Sequence, residues 1–286
     1  MTRGSREPEP GSVWTAGQVA RHLRIAESTL RTWHRRYGVG PHNPQPGRYR
    51  RYSAEDVNRL RRMRDLITAG MLPSDAAKSV EAAIREGGTP GEDLARLVTS
   101  ARALDSGRCL RVIEQAVARQ GVVETWERLC RPALVTLDGD QRHDPDVVDT
   151  EHVLSWAVSA ALHRVPRPAE RADRRPVLLA CTEGEYHSLA LEALSAALAE
   201  RELPVRMLGA ATPPRSLDHA VAAARPLAVV LWSHQQETAS SAAVAALRRH
   251  RVRRLIAGPG WPARRPAGTE FLGSLKEALL MLTGHV

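Results

Sequence analysis

Apolar and polar positions follow two different rhythms along this chain, and the change of rhythm divides it. In the first third, apolar residues recur every three or four positions, the spacing of one helix face. Thr15 to Leu23 reads as a short helix with Thr15 as its N-cap and Val19 and Leu23 on one side. A turn at Arg24-Ile25 leads to a second helix from about Ala26 to Tyr37, which Gly38 stops. Residues 39–47 are rich in Pro and Gly and predict a loop or ribbon. Ser53-x-x-Asp56 has the form of a capping box opening a third helix, in which Val57, Leu60, Met63 and Ile67 share a face. Pro73-Ser74 breaks the pattern before a fourth helix carrying Val80 and Ile84.

Residues 87–93 read as a linker, and helical spacing then resumes from 94 to 165. Leu110, Ile113 and Val117 mark one face, Trp126, Leu129 and Leu134 another, and Val153, Trp156 and Leu162 a third. This predicts a bundle of about four helices, interrupted by the Asp-rich stretch 137–152. After a second linker at 166–175, short apolar runs alternate with helical segments. The runs Val177–Cys181, Val205–Leu208, Leu227–Trp232 and Leu255–Ala257 predict strands of a parallel sheet covered by helices. The expected divisions are a disordered leader (1–12), a small helical head (13–86), the bundle (94–165) and an α/β domain (175–286).

Charge sharpens the reading of the head. The chain carries a formal net charge of +9, yet residues 1–90 hold 16 basic and 9 acidic side chains, and the rest 25 and 23. Basicity is thus local to the head, which suits an anionic polymer there. Ser28, Thr29, Arg31, Thr32, Arg35, Arg36 and Tyr37 lie along the second helix, and the ribbon ends in Arg48, Tyr49, Arg50 and Arg51. Two short helices joined by a tight turn, followed by a basic aromatic ribbon, predict a winged helix-turn-helix. Its second helix would read base edges in the major groove while the wing grips phosphates. Trp33 faces away from the polar side and is expected in the core.

Other chemistries are excluded or left weak. Cys109, Cys130 and Cys181 are far apart and odd in number, which fits neither a disulfide framework nor a zinc site and suits a reducing cytoplasm. No run approaches the ~18 apolar residues of a membrane span. No P-loop, strand-following G-x-G-x-x-G or G-x-S-x-G occurs, so no common enzyme signature is present. His143 with Asp144, Asp146 and Asp149 is read as a solvated acidic loop, and Cys181 as a core thiol.

The run Thr29-Leu30-Arg31-Thr32-Trp33-His34-Arg35-Arg36-Tyr37-Gly38, followed by Arg50-Arg51-Tyr52-Ser53, resembles the DNA-binding domain of MerR regulators. His34 departs from the Glu usual there. The bundle and α/β halves together resemble the cobalamin sensors of the CarH/LitR photoreceptor repressors. That resemblance implies a Rossmann-like, flavodoxin-like domain and a double-stranded DNA operator as partner. It also implies a homo-oligomer, dimer or tetramer, and adenosylcobalamin or another cobalamin as cofactor. It places a cobalt ligand at His187, with Glu185 orienting its ring. Ser233, Gly258 and Gly260 would leave room for the nucleotide tail, and Glu151-His152 and Trp126 would lie toward the upper face of the corrin. Three departures stand out: Ala190 replaces a Gly, Pro259 splits the paired glycines, and Gln141 occupies the position of a tryptophan. A second reading keeps DNA binding but makes the α/β domain a cofactor-free surface for dimerisation, a protein partner or another ligand. An enzyme component handling corrinoids is the third, disfavoured by the basic head.

Overall fold

A computed structural model describes residues 14–41, 50–85, 89–141, 148–168 and 174–284. The head begins with strand β1 (Trp14–Thr15), helix α1 (Ala16–Leu23) and helix α2 (Glu27–Tyr37). Thr15 caps α1 in a reciprocal box with Gln18, and α1 ends at Arg24 in the left-handed region (φ 52°). Gly38 closes α2 the same way at φ 72°. Strand β2 (Arg51–Tyr52) pairs antiparallel with β1, Tyr52 opposite Trp14, so the wing's return strand is anchored on the first residues of the head. Helices α3 (Ala54–Thr68) and α4 (Pro73–Arg85) complete the unit, α3 opening with the expected Ser53–Asp56 box. Val19, Leu23, Leu30, Trp33, Tyr52, Val57, Leu60, Met63 and Val80 form its core, and Ile67 packs on the edge.

The linker expected at residues 87–93 differs from expectation. Helix α5 (Pro90–Arg102) begins inside it, because Thr89 and Glu92 cap each other and Pro90 fits the first helical position. Helices α6 (Ser106–Thr125), α7 (Arg131–Gln141) and α8 (Val148–His163) follow, with a π-helical turn at Trp126–Cys130 before α7. Helix α6 breaks at Gly121 (φ 81°, ψ 172°).

The α/β part alternates β3 (Val177–Cys181), α9 (Leu189–Glu200), β4 (Val205–Gly209), α10 (Pro214–Ala224), β5 (Ala228–Trp232), α11 (Ser241–Ala246) and β6 (Arg253–Ala257). Strand β7 (Glu270–Leu272) and α12 (Leu275–Thr283) end it. All five strands are parallel in the order β4-β3-β5-β6-β7. The fold class is therefore a winged helix-turn-helix head, a helical bundle and a flavodoxin-like sheet. Strand β7 was not foreseen, being three residues long and at the sheet edge.

Alternate residues of each strand face opposite layers. Leu178, Ala180, Val229, Leu231 and Ile256 pack on α10 and α11. Val177, Leu179, Cys181, Val230 and Leu255 face α9 and α12 and join a core shared with the bundle residues Ile113, Leu129, Leu137, Leu154 and Val158. Bundle and sheet are thus one hydrophobic body despite the polar stretch between them in sequence. Order 2-1-3-4-5 places the topological switch between β3 and β5, at whose carboxyl ends open sheets of this kind bind ligands.

Candidate DNA interface and cofactor site

On α2, Leu30 and Trp33 are buried while Ser28, Arg31, Arg35 and Arg36 are exposed, with Thr29 and Thr32 half-buried beside them. Helical spacing alone produces this separation: the apolar stripe seats the helix and the opposite stripe is left polar. Thr32 spends its hydroxyl on the Ser28 carbonyl (2.9 Å). Tyr37 packs against the head core, so its ring does more for the fold than for the polar stripe. Arg51 is exposed, whereas Arg50 is half-buried beside Tyr52 and His34, and its Nη1 finds no partner among the described residues. Arg48 and Tyr49 lie outside the described residues, as do the leader and His143, Asp144 and Asp146.

The second constellation sits at the switch point. Glu185, in the loop leaving β3, is 1% exposed. Its Oε1 accepts from the His187 backbone N–H (2.9 Å) and lies 2.6 Å from His187 Nδ1. Its Oε2 accepts from His234 N (2.7 Å), Gln235 N (3.2 Å) and the Thr238 hydroxyl (2.7 Å), all in the loop leaving β5. Burial works against the charge, but the hydrogen bonds from His187, Thr238 and His234 overcome it and pull the carboxyl down to about 2. A fixed carboxylate on Nδ1 holds the imidazole with its proton there and leaves Nε2 as the lone-pair nitrogen. The His187 side chain is 54% exposed and stacks obliquely on His234, ring centroids 4.7 Å apart. This donor set suits a soft or borderline metal approached from outside the sheet. At the end of β5, the buried indole N–H of Trp232 lacks a partner among the described residues, a polar atom that a ligand at this edge would satisfy. The residues present therefore fit a cobalt-bearing ring.

The remaining expected residues behave differently. Ser233 is fully buried and turns its hydroxyl onto Gln235 O and Thr238 Oγ1, both at 2.8 Å. Gly258 has φ +104°, and a Cβ there would stand 2.1 Å from Ser233 O; one at Gly260 would stand 2.2 Å from Gln235 O. These glycines let the β5 and β6 loops interlock, so their size is explained by the protein's own backbone. Trp126 is buried in the bundle core, whereas Trp156, expected there, is 56% exposed. Glu151 is half-buried, with its carboxylate 3.5 Å from the Ser155 hydroxyl, and His152 is exposed. Ala190 packs on the shared core. Cys181 is buried, and burial first, then Glu185 and Glu192, pushes its thiol up to about 12, as befits a core residue. His234, Gln235 and Thr238 escaped the sequence reading; their signal was the polar run Ser233–Thr238 directly after an apolar strand.

Comparison with known proteins bears on both constellations. Residues 14–83 match the family model described as MerR HTH family regulatory protein. The HTH-type transcriptional repressor CarA of Myxococcus xanthus is 34% identical over 217 residues, 74% of either chain. The HTH-type transcriptional repressor CarH of the same organism is 30% identical, over 69% of this chain and 71% of its own. Among solved structures, the monomethylamine corrinoid protein of Methanosarcina barkeri superposes with a TM-score of 0.50 at 11% identity. It covers 69% of this chain and 100% of its own, which shows likeness of fold.

Proposed function

The chain belongs to the MerR family of helix-turn-helix transcriptional regulators, alongside the repressors CarA and CarH, and from that premise we propose that it is a cytoplasmic repressor whose operator binding is set by a cobalamin held at His187. The observation that carries the reading is the His187–Glu185 pair, 2.6 Å apart at the switch point of a corrinoid-type fold, with Nε2 free of the pair. Glu185 would hold the proton on Nδ1, so that His187 would offer Nε2 to cobalt. When bound, an adenosyl form supplies a light-labile cobalt–carbon bond. Operator binding belongs to α2, with Arg31, Arg35 and Arg36 toward bases and phosphates and Arg51 on the backbone. Assembly into a dimer or tetramer would present several heads to one operator and raise the effective concentration at the second half-site.

A second reading has a specific observation behind it. At Gly258 and Gly260 the space beside the Cα faces the protein's own backbone, Ser233 O and Gln235 O, so these small residues are accounted for by loop closure without a nucleotide tail. A regulator in which this half serves assembly or another ligand is consistent with that closure. The deciding experiment mixes the full chain with adenosylcobalamin in the dark, removes free cofactor, and records the visible spectrum before and after green light. Retained colour of a His-ligated form, lost in His187→Ala, supports the first reading; a colourless protein that still binds operator supports the second. For the head, Arg31→Ala is expected to alter base preference by about 1–3 kcal/mol, and Arg51→Ala to weaken all sequences alike.

A further inference from the structure

Helix α9 begins two residues after His187 and ends on Glu200, a span of about 18 Å at 1.5 Å per residue. Its amino end is tied to the bundle: Glu192 accepts from Ser188 Oγ (2.8 Å) and from Ser159 Oγ of α8 (2.6 Å). Its flank is buried without interruption from Ala193 to Ala199, so it is clamped along its length. The carboxyl end meets both other parts of the molecule. The Glu200 carboxylate accepts the Val122 N–H (3.2 and 3.3 Å), a donor that the break at Gly121 releases from the α6 ladder. The same carboxylate lies 3.7 Å from Arg61 Nη1 on α3 of the head. Arg61 in turn donates to Asn58 Oδ1 (3.1 Å) and to His22 Nε2 (2.9 Å).

Two residues beyond, Glu202 pairs with Arg24 at 2.5 Å and lies 4.0 Å from Arg64. Arg64 also approaches the Leu23 carbonyl (3.4 Å). Leu23 ends α1 and Arg24 opens the turn of the helix-turn-helix, three residues before α2 begins. One rigid helix therefore has the candidate ligand loop at one end and the turn that aims the recognition helix at the other.

We propose that α9 is the coupling element between sensor and head, with Glu200 and Glu202 as positioning residues that fix the head's orientation. A displacement at the His187 loop is carried along α9 and re-aims α2; the source of that displacement rests on the cobalamin reading, whereas the fixing of the head does not. A buried pair is suited to such a role because its geometry is narrow and neither charge tolerates losing the other.

The test uses the full chain with spin labels at exposed Arg21→Cys and Lys276→Cys, selective because Cys109, Cys130 and Cys181 are all buried. The variant Arg61→Met/Glu200→Gln removes both charges together, so no lone buried ion is left to unfold the protein. Pulsed electron spin distances are expected to be narrow in the wild type and Arg61→Lys, and broad in the double variant. Operator affinity with and without adenosylcobalamin is expected to differ by about tenfold or more in the wild type and by less than about twofold in the double variant. The His187-ligated spectrum should be the same in both. A distribution that stays narrow in the double variant, or an affinity ratio that survives, overturns the proposal. Should the wild type take up no cobalamin, the cofactor reading falls, and the distance distributions still decide whether α9 fixes the head.

Discussion

Glu185, 1% exposed in the loop just before α9, and Glu200, the last residue of α9 with 15% of its side chain exposed, show that burial alone does not set the state of a carboxylate. Glu185 meets five donors, three of them backbone N–H groups whose positions the β3 and β5 loops dictate, and its carboxyl is held near 2. Glu200 meets one backbone N–H and an arginine at 3.7 Å, and burial pushes its carboxyl above the ordinary range despite Arg61. Short directional donors fix the first charge. The second is only partly compensated, and so is Arg61, which burial shifts downward. The ligand end of α9 is a settled constellation, while the head end is poised.

The largest expected effect sharpens that contrast. Glu185→Ala would leave the His234, Gln235 and Thr238 donors facing a void and is expected to destabilise the α/β part by about 3–5 kcal/mol. Hydrogen exchange in β3 and β5 measures this without assuming that the whole chain unfolds at once. Protection unchanged to within about 1 kcal/mol would mean that the Glu185 network is incidental to stability. Next come two glycines, one toward each end of α9. Gly258→Ala places a methyl 2.1 Å from a backbone oxygen at φ +104° and is expected to cost about 2–4 kcal/mol, with or without cofactor. Gly121→Ala meets only side-chain atoms, Asn58 Nδ2 at 3.1 Å and Glu200 Oε2 at 3.4 Å, and should cost about 1–3 kcal/mol, chiefly because φ 81°, ψ 172° is a conformation all but confined to glycine. Equal costs would show that the head end is as tightly fixed as the ligand end.

How far each end can be read from sequence follows from how local its interactions are. Thr15, Ser53 and Gly38 act within four residues, so the head's helix boundaries are legible in the sequence. Glu185 and His187 are two apart and could be paired on sight, whereas Thr238 reaches Glu185 across 53 positions because β5 lies beside β3. Gly258 and Gly260 invite a ligand explanation in one dimension; only the neighbouring loop reveals that backbone fills the space. The Pro-Gly texture of residues 87–93 concealed the Thr89–Glu92 box, a signal present in the sequence but outweighed by composition. Nothing local marks Arg61 and Glu200 as partners, since their meeting requires head, bundle and sheet to be docked first.

The smallest effect separates the two ends by pH. His22 lies at the head end, its Nε2 accepting from Arg61 and its ring tilted against Trp14 at 5.0 Å. Burial first, then Arg61, Arg201 and Arg64, lowers its pKa from 6.5 to about 3. The folded protein therefore binds this proton less readily than the unfolded chain does. The stability His22 contributes is full above pH 6.5 and is lost as pH falls from 6.5 toward 3. Glu185 responds later: its contribution is full above 4.5 and lost only between 4.5 and about 2. Glu200 acts in the opposite sense, because a raised folded pKa adds stability on acidification, and it offsets part of the His22 loss. Between pH 7.5 and 5.5 the head end alone should loosen, by about 1 kcal/mol at the lower pH from His22. Hydrogen exchange in α1 and α3 should show that loss while β3 and β5 stay protected, and His22→Gln, whose amide oxygen can take the place of Nε2 as acceptor for Arg61, should remove most of it, His34 with its lowered pKa supplying the rest. Equal loss of protection in wild type and His22→Gln would assign the response to another group and erase the distinction between the two ends.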